Sequence, residues 1–276
     1  MKVYLNGKII SLNKAHISPV DEGYLYSRGA FETFRSVNGK LPFFNMHYAR
    51  LKKALGYLNI RITESGHTLN KTIKKLLKEN NLKDTYIRIT VSAGTENRPT
   101  VFIYTKPLPV IPEKYMKNGI KISVSNVSRT RFSEIPKHKT INCLENIYER
   151  NLAMEKGFLN ALILDETKNY AVECVSANIF MVKNGILYTP ALSDFPMLPG
   201  ITRALVIKLS KKLKIPLQEK KVTLKELTKA DEVFITGSLY GLVPVNCIDK
   251  HNIGAPGKIT KRLMVEYFKL SNFLIE

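Results

Sequence analysis

No apolar run in this 276-residue chain approaches the roughly 18 residues needed to cross a bilayer, and the basic start MKVYLNGK lacks a signal-like apolar stretch. A membrane protein or an exported one is therefore not expected. Cysteine is scarce. Cys143, Cys174 and Cys247 are odd in number and far apart, which argues against a disulfide framework and against a Cys-pair metal site. The five histidines are scattered as well. A cytoplasmic, metal-free protein is the expectation. Neither GxxxxGK[ST] nor GxGxxG occurs, so nucleoside triphosphate and dinucleotide readings lack support. Acids are few: 23 Asp and Glu against 43 Lys and Arg, a formal net charge of +20.

So basic a chain raises nucleic-acid binding as a possible role. The lysines, however, fall in patches such as KTIKKLLKEN, KLSKKLK and EKKVTLKELTK, where they alternate with apolar residues at helical spacing. That pattern reads as solvated helix faces, and no zinc-finger or RNA-recognition aromatic signature accompanies it. The expected partner is a small molecule, with the positive field drawing in anions, rather than nucleic acid.

What is present argues for a mixed α+β fold in two domains. Residues 2–5 and 8–12 read as a hairpin around Asn6-Gly7. Asn45 is a candidate cap for a helix carrying Leu51, Ala54, Leu55 and Leu58 on one face, and Leu69, Ile73, Leu76 and Leu77 mark a second helix. YIRITVSAG and TVFIYTK read as strands. The three prolines of KPLPVIPEKYMKNG mark a break. The expected organisation is a small α/β domain over 1–106, a linker over 107–119 and a larger domain over 120–276. In the second half GIKISVSNV is a strand, and a polar loop leads to a helix with Asn142 as N-cap and Glu145 at its third position. Leu144, Ile147, Tyr148 and Leu152 line one face of that helix. NALILD, YAVECV, NIFMV, ILYTP and VFITG read as strands, and Pro199-Gly200 opens a further helix.

Several residues could carry chemistry. Lys139 stands just ahead of a helix start, where exposed N–H groups disfavour a cation. If buried, it would tend toward a neutral amine able to condense with an aldehyde; otherwise it is one more surface lysine. Glu173 alternates with Val175 and Ala177, so it either pairs with a buried cation or sits at a strand edge facing water. Arg50 is a helix arginine with the same two readings. Thr202, at a helix start, and Thr236-Gly237-Ser238, after a strand, could hold phosphate or could be plain element ends. A lysine, an acid, an arginine and two small-residue turns together are what pyridoxal phosphate needs.

The ordered set DEGYLYSRGAFETFR, HYARL, KTINCLENI, ECVSANIF, LYTP, LPGITR and ADEVFITGSLYGLVPV resembles the fold-type IV pyridoxal-phosphate enzymes, the class IV aminotransferase family, over nearly the whole chain. The resemblance implies a small N-terminal α/β domain, a larger C-terminal pseudo-barrel domain that binds pyridoxal 5'-phosphate, and a homodimer. It implies that Lys139 bonds the cofactor and that Glu173 pairs with the pyridine nitrogen. Arg50, Ile201, Thr202, Gly237 and Ser238 match phosphate positions. Leu198 matches the residue packed on the ring, and Asn178 one near the cofactor. Phe31, Arg28 and Arg88 match substrate positions, with Arg28 replacing a commoner acidic residue. KTINCLENI, ECVSANIF and ITGSLYGLVPV look most like 4-amino-4-deoxychorismate lyases, whereas Tyr86-Ile87-Arg88 resembles a branched-chain aminotransferase feature. Ala93 stands where D-amino acid aminotransferases usually carry an arginine. The expected activity is the lyase, with amino-group transfer from a D-amino acid or a branched-chain L-amino acid as the alternative.

Overall fold

The computed structural model of the protein describes residues 1–254 and 256–271. The chain forms two compact units. One comprises Met1–Val110 together with His138–Asn142, and the other Ile111–Lys137 together with Cys143–Glu276.

The first unit is built on an antiparallel sheet of β1 (Lys2–Leu5), β2 (Lys8–Ser11), β3 (Gly29–Ser36), β4 (Thr85–Thr95) and β5 (Arg98–Pro107), in the order β2-β1-β5-β4-β3. Asn6 and Gly7 both adopt positive φ, 44° and 88°, which matches the twist of a two-residue hairpin. Along β3 the alternation is strict: Ala30, Glu32, Phe34 and Ser36 are buried, while Phe31, Thr33 and Arg35 take the other face. A short helix α1 (Glu22–Tyr26) precedes β3. Helices α2 (Phe44–Tyr57) and α3 (Gly66–Glu79) bring Leu51, Leu55, Leu69, Ile73 and Leu76 into one core with Phe34, Ile87 and Ile89. Ser65 caps α3 by accepting the Thr68 N–H at 3.1 Å. Asn45, the expected cap of α2, lies inside that helix instead. The chain enters through Phe43 in the left-handed region (φ 58°), with no side-chain cap, so that Phe44 can be buried against Phe34.

The second unit opens with α4 (Glu113–Asn118), a helix within the proline-rich stretch that begins directly after Pro112. Its ten-stranded sheet contains β6 (Ile120–Arg129), β7 (Asn160–Asp165), β8 (Tyr170–Cys174), β9 (Asn178–Lys183), β10 (Ile186–Thr189), β11 (Leu217–Glu219), β12 (Val222–Thr223), β13 (Glu232–Gly237), β14 (Gly241–Ile248) and β15 (His251–Asn252). The order is β11-β10-β9-β13-β14-β6-β7-β8-β12, with β15 beside β14. Helices α5 (Leu144–Glu155), α6 (Ile201–Lys212), α7 (Leu224–Thr228) and α8 (Lys258–Ser271) complete the unit. β6 and β7 are parallel, and α5 lies in the crossover that such a pair requires.

Helix α5 corrects one expectation. Its N-cap is Cys143 without a side-chain bond, not Asn142. Its apolar stripe also faces outward: Leu144 is 76% exposed and Tyr148 60%, with Ile147 beside them, while Glu149 is 5% exposed. The inward phase is set by Glu149, whose carboxylate accepts from Ser125 Oγ at 2.6 Å and from the Asn126 N–H at 3.0 Å. Small Ala153 then lets the helix approach the sheet.

The two caps predict opposite outcomes. Ser65→Ala should cost about 1 kcal/mol and lower the urea midpoint at unchanged slope. Asn45→Ala should leave the midpoint within error, since that side chain caps nothing.

Candidate active site

Lys139 is placed by main-chain pairing. Thr140 forms an isolated antiparallel bridge with Ala30 at the edge of β3: the Phe31 N–H donates to Lys139 O and the Ile141 N–H to Gly29 O, both at 2.9 Å. Gly29 is required there, because a Cβ would lie 2.6 Å from Val91 O and 2.9 Å from Ile141 Cδ1. Lys139 Nζ sits 4.5 Å from the centre of the Phe31 ring, and the Arg88 guanidinium carbon lies 3.7 Å from the same ring. Arg88 Nε donates to Thr90 Oγ1 at 3.1 Å, which holds the guanidinium along the sheet. Three residues singled out in the sequence, Phe31, Arg88 and Lys139, thus meet on the sheet face opposite α2 and α3. A cavity of about 420 Å³, lined largely by apolar atoms of residues including Ile17, Tyr24, Phe102 and Ile141, adjoins Thr90 on that face.

Arg50 lies on the inward side, locked to Glu32. Its Nε meets Oε1 at 2.7 Å and its Nη2 meets Oε2 at 2.8 Å, a two-point grip on a fully buried carboxylate. His47 Nδ1 lies 2.7 Å from the same carboxylate. Burial alone would raise the Glu32 pKa, but the Arg50 charge, the Arg50 hydrogen bonds and His47 outweigh it and bring it down to about 2. Burial holds the His47 pKa below its usual range. Glu32 opposes that, and the charges of Arg50 and Lys139 reinforce it. His47 is therefore neutral, and its Nδ1–H donates to Glu32. Arg28 does not join this group: its guanidinium pairs with Glu22 at 2.6 Å and reaches Leu58 O at 3.3 Å.

The second unit assembles the remaining candidates. Glu173, buried in β8, accepts the Leu198 N–H at 3.2 Å through Oε2, and its Oε1 lies 3.6 Å from Arg129 Nε. Asn178, at the start of β9, donates to Leu198 O at 3.0 Å. One peptide segment is therefore held at both of its polar atoms by two of the predicted residues. Gly200 leads into α6, since any Cβ there would run into Asn178 Oδ1. Helix α6 has no side-chain cap, so the N–H groups of Ile201 and Thr202 at its first turn meet no capping side chain. Thr202 is buried, with Oγ1 3.4 Å from the Tyr267 hydroxyl. Gly237 and Ser238 follow at the end of β13, whose Thr236 pairs in register with Asn178.

These sets suit pyridoxal phosphate part by part. Thr236 Oγ1 is buried without a hydrogen-bond partner, beside Gly237 and close to the uncapped α6, as a phosphate-binding donor would be. A buried carboxylate suits a protonated ring nitrogen, and the Lys139 amine suits an aldehyde. Sequence reasoning missed Glu32, His47 and Arg129. Glu32 had a usable signal, an acid in phase with Ala30 and Phe34 on a strand. Arg129, at the end of β6, had none.

Glu32 gives the fold an acid-dependent component. Its folded pKa lies below its ordinary value of 4.5, so its stabilisation is complete above that value and is lost as the pH falls toward about 2. Glu32→Gln should therefore lower the urea midpoint at neutral pH and flatten the decline in midpoint as the solution is acidified from pH 5 through 3. A variant as steep as the parent would place the acid sensitivity elsewhere.

The family model described as amino-transferase class IV matches residues 29–248. A Methanocaldococcus jannaschii protein named provisionally as a branched-chain-amino-acid aminotransferase is 35% identical over 97% of this chain and 95% of its own length. Aminodeoxychorismate lyase of Bacillus subtilis is 30% identical over 97% of this chain and 94% of its own length. The Escherichia coli branched-chain amino acid aminotransferase has the same fold, with a TM-score of 0.91 at 26% identity over 98% of this chain and 94% of that one. With its mixed α+β units and a match that runs almost end to end, the chain belongs to the class IV aminotransferases, the fold-type IV enzymes that work with pyridoxal 5'-phosphate.

Proposed function

We propose that the chain acts on a primary amine that bears a carboxylate, as an aminodeoxychorismate lyase releasing pyruvate and 4-aminobenzoate. The observation that carries the reading is the convergence of Lys139 and Arg88 on one aromatic ring, an amine beside a carboxylate-binding guanidinium. On this reading Lys139 bonds the cofactor's aldehyde and Glu173 pairs with its ring nitrogen. Arg50, Ile201, Thr202, Gly237 and Ser238 take its phosphate. Leu198 packs on the ring, and Asn178 holds Leu198 in place. The two-point grip of Glu32 fixes the orientation of the Arg50 guanidinium.

The cofactor, when bound, supplies an electron-poor ring that acidifies the C–H beside the substrate amine. Lys139, displaced from the aldehyde by the substrate amine, would take that proton on Nζ. The neighbouring C–O bond breaks, the carbocycle aromatises, and Lys139 returns the proton to the departing enolpyruvyl group, which leaves as pyruvate. Phe31 walls the substrate, Arg88 holds a carboxylate, and Arg28 is a second candidate for that grip. Exchange with D-amino acids is disfavoured because position 93, usually an arginine in those enzymes, is a buried alanine here.

Amino-group transfer is the second reading. The apolar cavity beside Thr90 and the Tyr86-Ile87-Arg88 segment favour an apolar amino acid, in line with the name of the 35%-identical relative. The chain on either reading is a cytoplasmic homodimer. The outward stripe of Leu144, Ile147 and Tyr148 on α5 supports the dimer, because an apolar helix face of that kind calls for a covering partner.

Two experiments follow. The protein given aminodeoxychorismate without a keto acid should release pyruvate in repeated turnovers, and Lys139→Ala should abolish release while retaining the fold. Conversion of bound cofactor by L-leucine, with no pyruvate formed, would replace the lyase by the aminotransferase. Ile147→Glu should turn the dimer into monomers in analytical ultracentrifugation; a variant that sediments as the parent does would remove α5 from the interface.

A further inference from the structure

Arg129 is the last residue of β6, and its guanidinium is almost wholly buried. Nη1 lies 3.2 Å from Glu145 Oε2, and Nη2 donates to Asn146 Oδ1 at 2.8 Å. Nε has no hydrogen-bond partner, yet lies 3.6 Å from Glu173 Oε1. Asn146 also donates to Val175 O at 2.8 Å, so one amide braces both the arginine and the chain just past Glu173. The Glu145 side chain is 59% exposed, which leaves its pairing with Arg129 well screened. The opposite charge that meets Arg129 away from water is Glu173, 8% exposed at its side chain. The other ionisable neighbour of Glu173 on its own strand is the Cys174 thiol. Burial and the Glu173 charge push that thiol up, so it stays neutral.

We infer that Arg129 is a positioning residue that keeps Glu173 ionised and aimed, and so sets the pH below which the chain releases pyridoxal 5'-phosphate. This rests on the reading that Glu173 faces the cofactor's ring nitrogen. A guanidinium this close favours the carboxylate over the acid. A protonated Glu173 would offer the pyridinium no compensating charge, and the cofactor would bind less tightly. An opposite charge within ~4–6 Å lowers a carboxylate's pKa by roughly 1–3 pH units. Removing Arg129 should raise the acid limit of cofactor binding by a similar amount. Asn146 takes part by holding Nη2, which turns Nε toward Glu173.

The test is the dissociation constant of pyridoxal 5'-phosphate from the full-length protein, titrated by absorbance across the acid and neutral range, with circular dichroism as the fold control. Arg129→Met should move the acid midpoint up by roughly 1–3 pH units, and Arg129→Lys, which keeps the charge, should restore most of it. Should Arg129→Met not fold, Asn146→Leu keeps the charge and loosens its aim, and should move the midpoint the same way by less. A parental midpoint in Arg129→Met, or in Asn146→Leu where that variant stands in, overturns the inference, as does an Arg129→Lys displaced as far as the methionine variant. Glu173→Gln separates the two levels. If it removes the acid midpoint while the Arg129 variants do not move it, this inference fails alone. If Glu173→Gln keeps the parental profile, the cofactor role of Glu173 fails with it.

Discussion

The position of Lys139 depends on a few main-chain hydrogen bonds. Residues 138–142 leave the run of the second unit and meet the edge of β3 at the Thr140–Ala30 bridge, more than a hundred residues earlier in the chain. The Phe31–Lys139 and Ile141–Gly29 bonds set the register. A slip of one residue would turn Lys139 to the opposite face, as it does for any paired strand. Main-chain pairing fixes the position of the side chain through backbone atoms alone. Gly29 makes the approach possible, since Val91 O and Ile141 leave no room for a Cβ.

Buried charge follows the same logic in both units. Glu32 faces Arg50 and neutral His47, and Glu173 faces Arg129 and the Leu198 N–H. Pairs of this kind gain little net stability, because desolvation offsets most of the attraction. Removing one partner is costly, however, so each pair holds its members in one geometry. The two pairs differ in tightness. Arg50 grips Glu32 at two points, whereas Arg129 approaches Glu173 with a single nitrogen beyond hydrogen-bond distance. A tight pair fixes the orientation of its arginine more firmly than a loose one does.

Helix α5 shows how polar anchoring can override apolar periodicity. Leu144, Ile147 and Tyr148 share a face, and periodicity alone assigns that face to the core. In the folded unit Glu149 takes the inward phase, because Ser125 and the Asn126 N–H offer it two hydrogen bonds. Satisfying a buried carboxylate takes precedence, since leaving it unpaired would cost far more than exposing three apolar side chains.

The hairpin at Asn6-Gly7, the four buried leucine and isoleucine positions of α3, and β6 to β10 and β13 of the second unit were legible in the sequence, because each depends on local periodicity or on a turn that few residues can form, whereas β11, β12, β14 and β15 were not. The motif order also carried the family, since it records which residue types the chemistry needs. It could not show that residues 138–142 belong with the first unit, that Arg50 is held by Glu32, or that Arg129 stands beside Glu173. Those pairings join residues from 18 to more than a hundred positions apart. No periodicity within one element encodes a partner in another, and only the packed chain decides which charges meet.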